Sequence, residues 1–121
     1  MTTWKPISES RIRSFIDEDA LAFSNDEKEF FESIRIPLQK WDLDKWGDYG
    51  EGFWVVAKIE KTVLWYNDIE EGFNYSTYSA LGKIDEYWCD QDDLALAVRR
   101  LHNYIRIGET GDRRGPPVPI V

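Results

Sequence analysis

Apolar positions change period several times along the chain, and each change predicts an element. Ile12, Phe15, Ile16 and Phe23 fall near helical spacing, with Ser8 placed to cap and Pro6 ahead of it. That predicts a helix from about Ser8 to Asp17. Ser24 and Glu27 stand in the capping-box relation, so a second, short helix should follow and present Phe30, Phe31 and Ile34 to a core. Pro37 stops it, and Ile34, Ile36 and Leu38 switch to period two, which suits an edge strand that tolerates a proline.

Trp41–Gly52 carries three glycines and clustered Asp and reads as a loop. Phe53–Ile59 is the strongest strand signal, β-branched and aromatic throughout, and Val63–Tyr66 follows after a short connection at Glu60-Lys61. The two should pair as an antiparallel hairpin. Asn67–Gly72 is turn-rich, and Gly72 suits a positive φ that closes the turn. Phe73–Tyr78 alternates rings with small polar residues, the pattern of a half-exposed strand, and Ile84–Trp88 adds a further strand after Gly82.

The last element is the clearest. Leu94, Val98, Leu101 and Ile105 recur at steps of four, three and four, with Asp90, Asp92 and Asp93 at the start and Arg99, Arg100 and Arg106 toward the end. Both ends complement the helix dipole, and Gly108 supplies the stop. The expectation is one α+β domain over residues 1–107: N-terminal helices, an antiparallel meander of three to five strands and a C-terminal amphipathic helix. Residues 108–121 hold three Gly and three Pro without periodicity and read as an extended or mobile tail.

Composition sharpens this picture. A length of 121 residues fits one domain, and 15% aromatic residues are too many for a disordered acidic tail. The net charge is −8, which disfavours binding to phosphate backbones, so no nucleic-acid partner is expected. The single cysteine, Cys89, excludes an internal disulfide. The start lacks the apolar region of a secretory signal, and no apolar run approaches the ~20 residues of a membrane helix. A cytoplasmic location without membrane contact is therefore expected. Charge is uneven: residues 1–50 hold 7 basic and 11 acidic groups, residues 51–93 hold 3 and 10, and residues 94–121 hold 5 and 2. The middle is the acidic centre.

Candidate chemistry is sparse. Asp42-x-Asp44-x-Trp46-Gly47 begins like a calcium loop, but position five is Trp46 and position twelve is Phe53 where oxygen ligands are required. No metal and no cofactor is expected. The only histidine, His102, reads as a surface residue of the last helix, and Cys89, beside Asp90, reads as a buried thiol and a poor nucleophile. Carboxylate pairs occur at Glu70-Glu71, Asp85-Glu86 and Asp92-Asp93, but 23 acidic groups make some pairs unavoidable. Phosphate-loop and nucleophile-elbow strings are absent, so no residue is assigned a catalytic role.

What remains is acidic and aromatic together. Trp46 and Tyr49 alternate with Asp42, Asp44 and Asp48, while Trp65 and Tyr66 precede Asp68, Glu70 and Glu71. Most rings belong to the core. In the two loops, rings supply interface anchors and carboxylates steer and pair with a basic partner. Asp42, Asp44, Trp46, Asp48, Tyr49, Asp68, Glu70 and Glu71 are therefore the expected partner-binding residues.

Trp65-Tyr-Asn-Asp-Ile-Glu-Glu-Gly-Phe-Asn74 and Ile84-Asp-Glu-Tyr-Trp-Cys-Asp-Gln-Asp-Asp-Leu94 resemble small bacterial proteins of unsettled function, some of them similar to immunity proteins, the cognate inhibitors encoded beside secreted toxins. The resemblance covers about residues 51–105 and maps no established functional residue. It implies a binding role, and with the net charge of −8, the acidic-aromatic loops and the missing catalytic set the expectation is a non-enzymatic acidic binding module, an immunity-type inhibitor that blocks a basic toxin domain. A carbohydrate- or small-ligand-binding domain using exposed Trp and Tyr, and a carboxylate-based hydrolase, are the alternatives.

Overall fold

A computed structural model describes residues 7–43 and 52–108 together with the strand Val118–Pro119. Three helices, α1 (Glu9–Ala20), α2 (Asn25–Ile34) and α3 (Leu94–Ile107), accompany a meander of β1 (Arg35–Trp41), β2 (Phe53–Ile59), β3 (Thr62–Asn67) and β4 (Gly72–Thr77). The sheet order is β1-β2-β3-β4, antiparallel throughout, so the α+β architecture follows the expected plan.

Local signals account for the helix starts. The Ser8 hydroxyl accepts from the Arg11 amide, and Ser24 and Glu27 form a complete capping box. Helix α1 runs on to Ala20, three residues past the expected end at Asp17. Helix α2 stops at Ile34, where Arg35 turns extended, and Pro37 sits inside β1 at the open edge of the sheet. Asp93 caps α3 by accepting from Leu96, and Gly108 closes it with φ 76°.

Two cores lie on opposite faces of the sheet. On one face Ile12, Ile16, Phe31, Leu94, Val98 and Leu101 of the helices bury Leu64, Tyr66, Phe73 and Tyr75. On the other, Trp41, Leu43, Tyr78, Ile84 and Tyr87 cover Phe53, Val55, Val63 and Trp65. Full burial of a side chain as large as Trp65, which is completely inaccessible, contributes about 2–3 kcal/mol.

The second core corrects the expectation for β4. That strand is buried on both faces, because the irregular chain after it folds back across the outer one. The small polar residues bind that chain. Ser76 Oγ accepts from the Trp65 indole at 2.9 Å and donates to the Glu86 carbonyl, while Asn74 exchanges two hydrogen bonds with the Asp90 backbone. Asn67, with no accessible surface, donates to the Trp88 carbonyl. Only Glu86–Tyr87 (β5) forms a strand within the expected Ile84–Trp88, paired with Val118–Pro119 (β6). Of the expected tail, residues 109–117, 120 and 121 lie outside the described residues.

The β3–β4 turn is a second correction. Gly72 does not take a positive φ; Glu71 does, at 60°. Gly72 is required for proximity instead, since a Cβ there would lie 2.3 Å from the Asp90 carbonyl oxygen and 2.4 Å from the Gln91 Cα.

Candidate functional site

In a four-stranded meander the first and third connections lie at the same end of the sheet. The pairs Trp41↔Phe53 and Asn67↔Gly72 mark that end here. It therefore carries Asp42, just after β1, and the turn that holds Asp68, Glu70 and Glu71. Asp44, Trp46, Asp48 and Tyr49 lie outside the described residues. Asp42 is exposed, and its backbone pairs with Gly82 and Ile84 on the side of the second core.

The other three expected residues differ in their availability. Asp68 is half-buried and its Oδ2 accepts from the Ile7 amide at 2.8 Å, so it holds the chain entering α1. Glu70 is half-buried, with its amide held by Asn67 and its carbonyl by Gln91. Glu71 is exposed.

Glu71 faces a cleft of about 250 Å³ on the helix side of this end. The end of α1 contributes Phe15, Glu18 and Asp19, and the chain entering α3 contributes Gln91, Asp92 and Asp93. Tyr66 and Phe73 form its inner wall. Five carboxylates thus surround a wall of three rings.

The wall is packed. Tyr66 lies 5.4 Å from Phe15 and 4.9 Å from Phe73, centroid to centroid, and is only 6% exposed. Burial, reinforced by the charges of Glu71 and Asp68, pushes the Tyr66 phenol up to about 12, so it remains protonated at neutral pH.

Several of the acids also serve the fold. Asp19 Oδ2 accepts from the Leu94 amide at 3.0 Å, Asp93 Oδ1 from Leu96 at 2.9 Å, and Asp92 Oδ2 lies 3.5 Å from Arg100 Nε. Burial pushes the Asp19 carboxyl above the usual range, opposed by the Leu94 hydrogen bond and aided by Asp93 and Glu18. Arg11 places its guanidinium 4.7 Å from the centre of the Phe15 ring.

Sequence spacing assigns Phe15 to the core and Asp92 and Asp93 to a helix dipole. It carried no signal that these residues meet Tyr66 and Glu71. Elsewhere, His102 stacks on Phe30 at 4.2 Å and is half-buried, as is Cys89 against the second core. Among the described residues no group of three or more His, Cys, Asp or Glu is placed to hold a metal ion, and no helix is long and apolar enough to cross a membrane. Compared with known proteins, the chain matches no family model, no curated protein and no solved structure.

Proposed function

We propose that this chain is a non-enzymatic binding module of the immunity type, which captures a basic toxin domain with the acidic end of its sheet. The observation that carries the reading is the convergence of Glu18, Asp19, Glu71, Asp92 and Asp93 on one aromatic-walled cleft on the helix side of the sheet, at the end marked by Asn67↔Gly72. A concentration of one sign of charge steers an oppositely charged partner, and the half-buried Phe15 ring adds apolar area to desolvate on contact.

Several acids around one cavity also meet the first requirement of a carboxylate hydrolase. Binding is the better reading because Asp19 and Asp93 each use a carboxylate oxygen to cap α3, and Asp92 pairs with Arg100.

The test is genetic and kinetic. A toxin gene should adjoin the gene for this chain, co-expression should protect cells from that toxin, and association of the two purified proteins should slow steeply with added salt. Absence of such a gene, or failure to protect, overturns the reading.

A further inference from the structure

The geometry points to a strand-docking site on β1: its open edge takes up an extended segment of a protein partner in which carboxylates alternate with aromatic or aliphatic side chains. This surface goes beyond the proposed function, since it lies at the other edge of the sheet from the acidic cleft and is opposite to it in charge. The two edges of the sheet differ. The irregular chain after β4 closes that edge, where Phe73 donates to the Asp92 carbonyl at 2.9 Å and Asp85 donates to that of Thr77 at 3.0 Å. β1 ends the sheet with no strand beside it among the described residues, and its seven residues are exposed or half-buried up to Trp41. One row of its backbone groups is therefore open to pairing, apart from the N–H that Pro37 lacks. Proline and basic side chains also protect an edge from chance pairing, so they alone would not carry the inference. The second observation is a hollow on each flank of the strand.

On the second-core flank a groove of about 500 Å³ is walled by Ile36, Pro37, Trp41 and Leu81, and the Leu81 side chain is 76% exposed. On the helix flank a hollow of about 320 Å³ opens beside Leu38, Arg13 and Arg35. Lys40 also reaches this flank, 5.2 Å from the centre of the Trp54 ring. The two linings hold Arg13, Arg35, Lys40 and Lys58 against Glu32, in a chain of net charge −8. Charge complementarity thus selects an acidic occupant. Side chains of a strand alternate between its faces, so an added strand sends every second one to each flank. Arg13, Arg35 and Lys40 favour carboxylates on the helix flank, and Ile36, Trp41 and Leu81 favour rings or aliphatic groups on the other. Arg13 and Arg35 pair with Glu9 and Glu32 at the surface, in contacts weak enough for an incoming carboxylate to join. A second copy of β1 fits poorly, because antiparallel pairing of two such edges sets Arg35 near Lys40 of the other copy.

The experiment titrates the full ¹⁵N-labelled chain with the peptide acetyl-EVEFEVE-amide and follows amide shifts by NMR. Acetyl-KVKFKVK-amide, and two versions of the acidic peptide N-methylated at one or the other alternate set of residues, serve as comparison probes. Saturable shifts confined to β1 and its surroundings at Leu81 and Gly82 are expected with the acidic peptide, and binding about tenfold weaker with the basic one. One N-methylated version should lose binding and the other should keep it, because only one row of the peptide's N–H groups faces β1. Leu81→Ser and Arg35→Glu, both at exposed positions, should each weaken binding several-fold while leaving the spectrum dispersed. No saturable shift, shifts centred away from β1, equal binding of the basic peptide, no loss with either N-methylated version, or affinity unchanged in both variants overturns the docking site. Dimerisation of the chain through β1 assigns the edge to a second copy and overturns it as well. If the peptide fails while a toxin still binds, the docking site is wrong and the inhibitor reading stands; if the peptide binds and no toxin does, the reverse holds.

Discussion

The carboxylate of Asp19 accepts a hydrogen bond from the Leu94 amide across 75 positions of sequence, so the end of α1 caps the start of α3. This contact ties two helices together and sets one wall of the acidic cleft. Asp19→Ala should lower stability by about 1 kcal/mol in denaturant melts, the usual cost of a lost cap. Asp19→Asn keeps an acceptor and sheds a charge that the site disfavours, so it should be neutral or stabilising. Because the folded-state pKa is raised, Asp19 favours the fold most below its unfolded value and loses that contribution as pH rises through its folded value. The advantage of Asn over Asp should accordingly appear above the carboxylate range and vanish in acid.

Glu27 carries the opposite sign. The Arg99 hydrogen bond, then the Ser24 amide, hold its carboxyl below the usual range, with Glu27 Oε2 2.8 Å from Arg99 Nε. Its contribution is present above the unfolded value and lost as pH falls through the folded one. The Arg99 side chain is 55% exposed, so screening keeps the pair small. Arg99→Ala should cost ~0.5–1 kcal/mol at neutral pH and nothing measurable in acid, as read by thermal melts across pH.

Asn67 should be the most sensitive polar position. It is fully buried, donates to Trp88 and accepts from the amides of Ile69 and Glu70. Asn67→Ala leaves those groups unpaired and should cost about 2–4 kcal/mol. Hydrogen exchange should then accelerate at Ile69, Glu70 and through residues 86–91 before it does so in α3; uniform acceleration would contradict a local role.

Backbone conformation gives two contrasting outcomes. Gly72→Ala drives a Cβ into the Asp90–Gln91 backbone and should destabilise by more than about 2 kcal/mol, with residues 90–92 displaced. Glu60, in the two-residue turn between β2 and β3, has φ 52°. Glu60→Gly relieves that conformation and should raise the melting temperature, by an amount equivalent to at most about 1 kcal/mol.

Features governed by neighbours in sequence were legible from it. The Ser24–Glu27 capping box, the Asp93 and Gly108 ends of α3, the Glu60-Lys61 hairpin and the edge position of Pro37 all depend on residues within a few positions. Short-range geometry sets them, so spacing suffices. Burial of both β4 faces, the purpose of Gly72 and the cleft itself depend on segments far apart. Asn74 and Ser76 look solvent-facing until residues 86–90 lie over them, and Tyr66 looks like core until Glu71, Phe15 and Asp92 meet around it. The sequence by itself determined an acidic, ring-rich α+β chain with its charge concentrated in the middle. Only the tertiary structure decided which acids share a cavity with which ring, because that pairing is set by how helices and an irregular strap pack on opposite faces of one sheet.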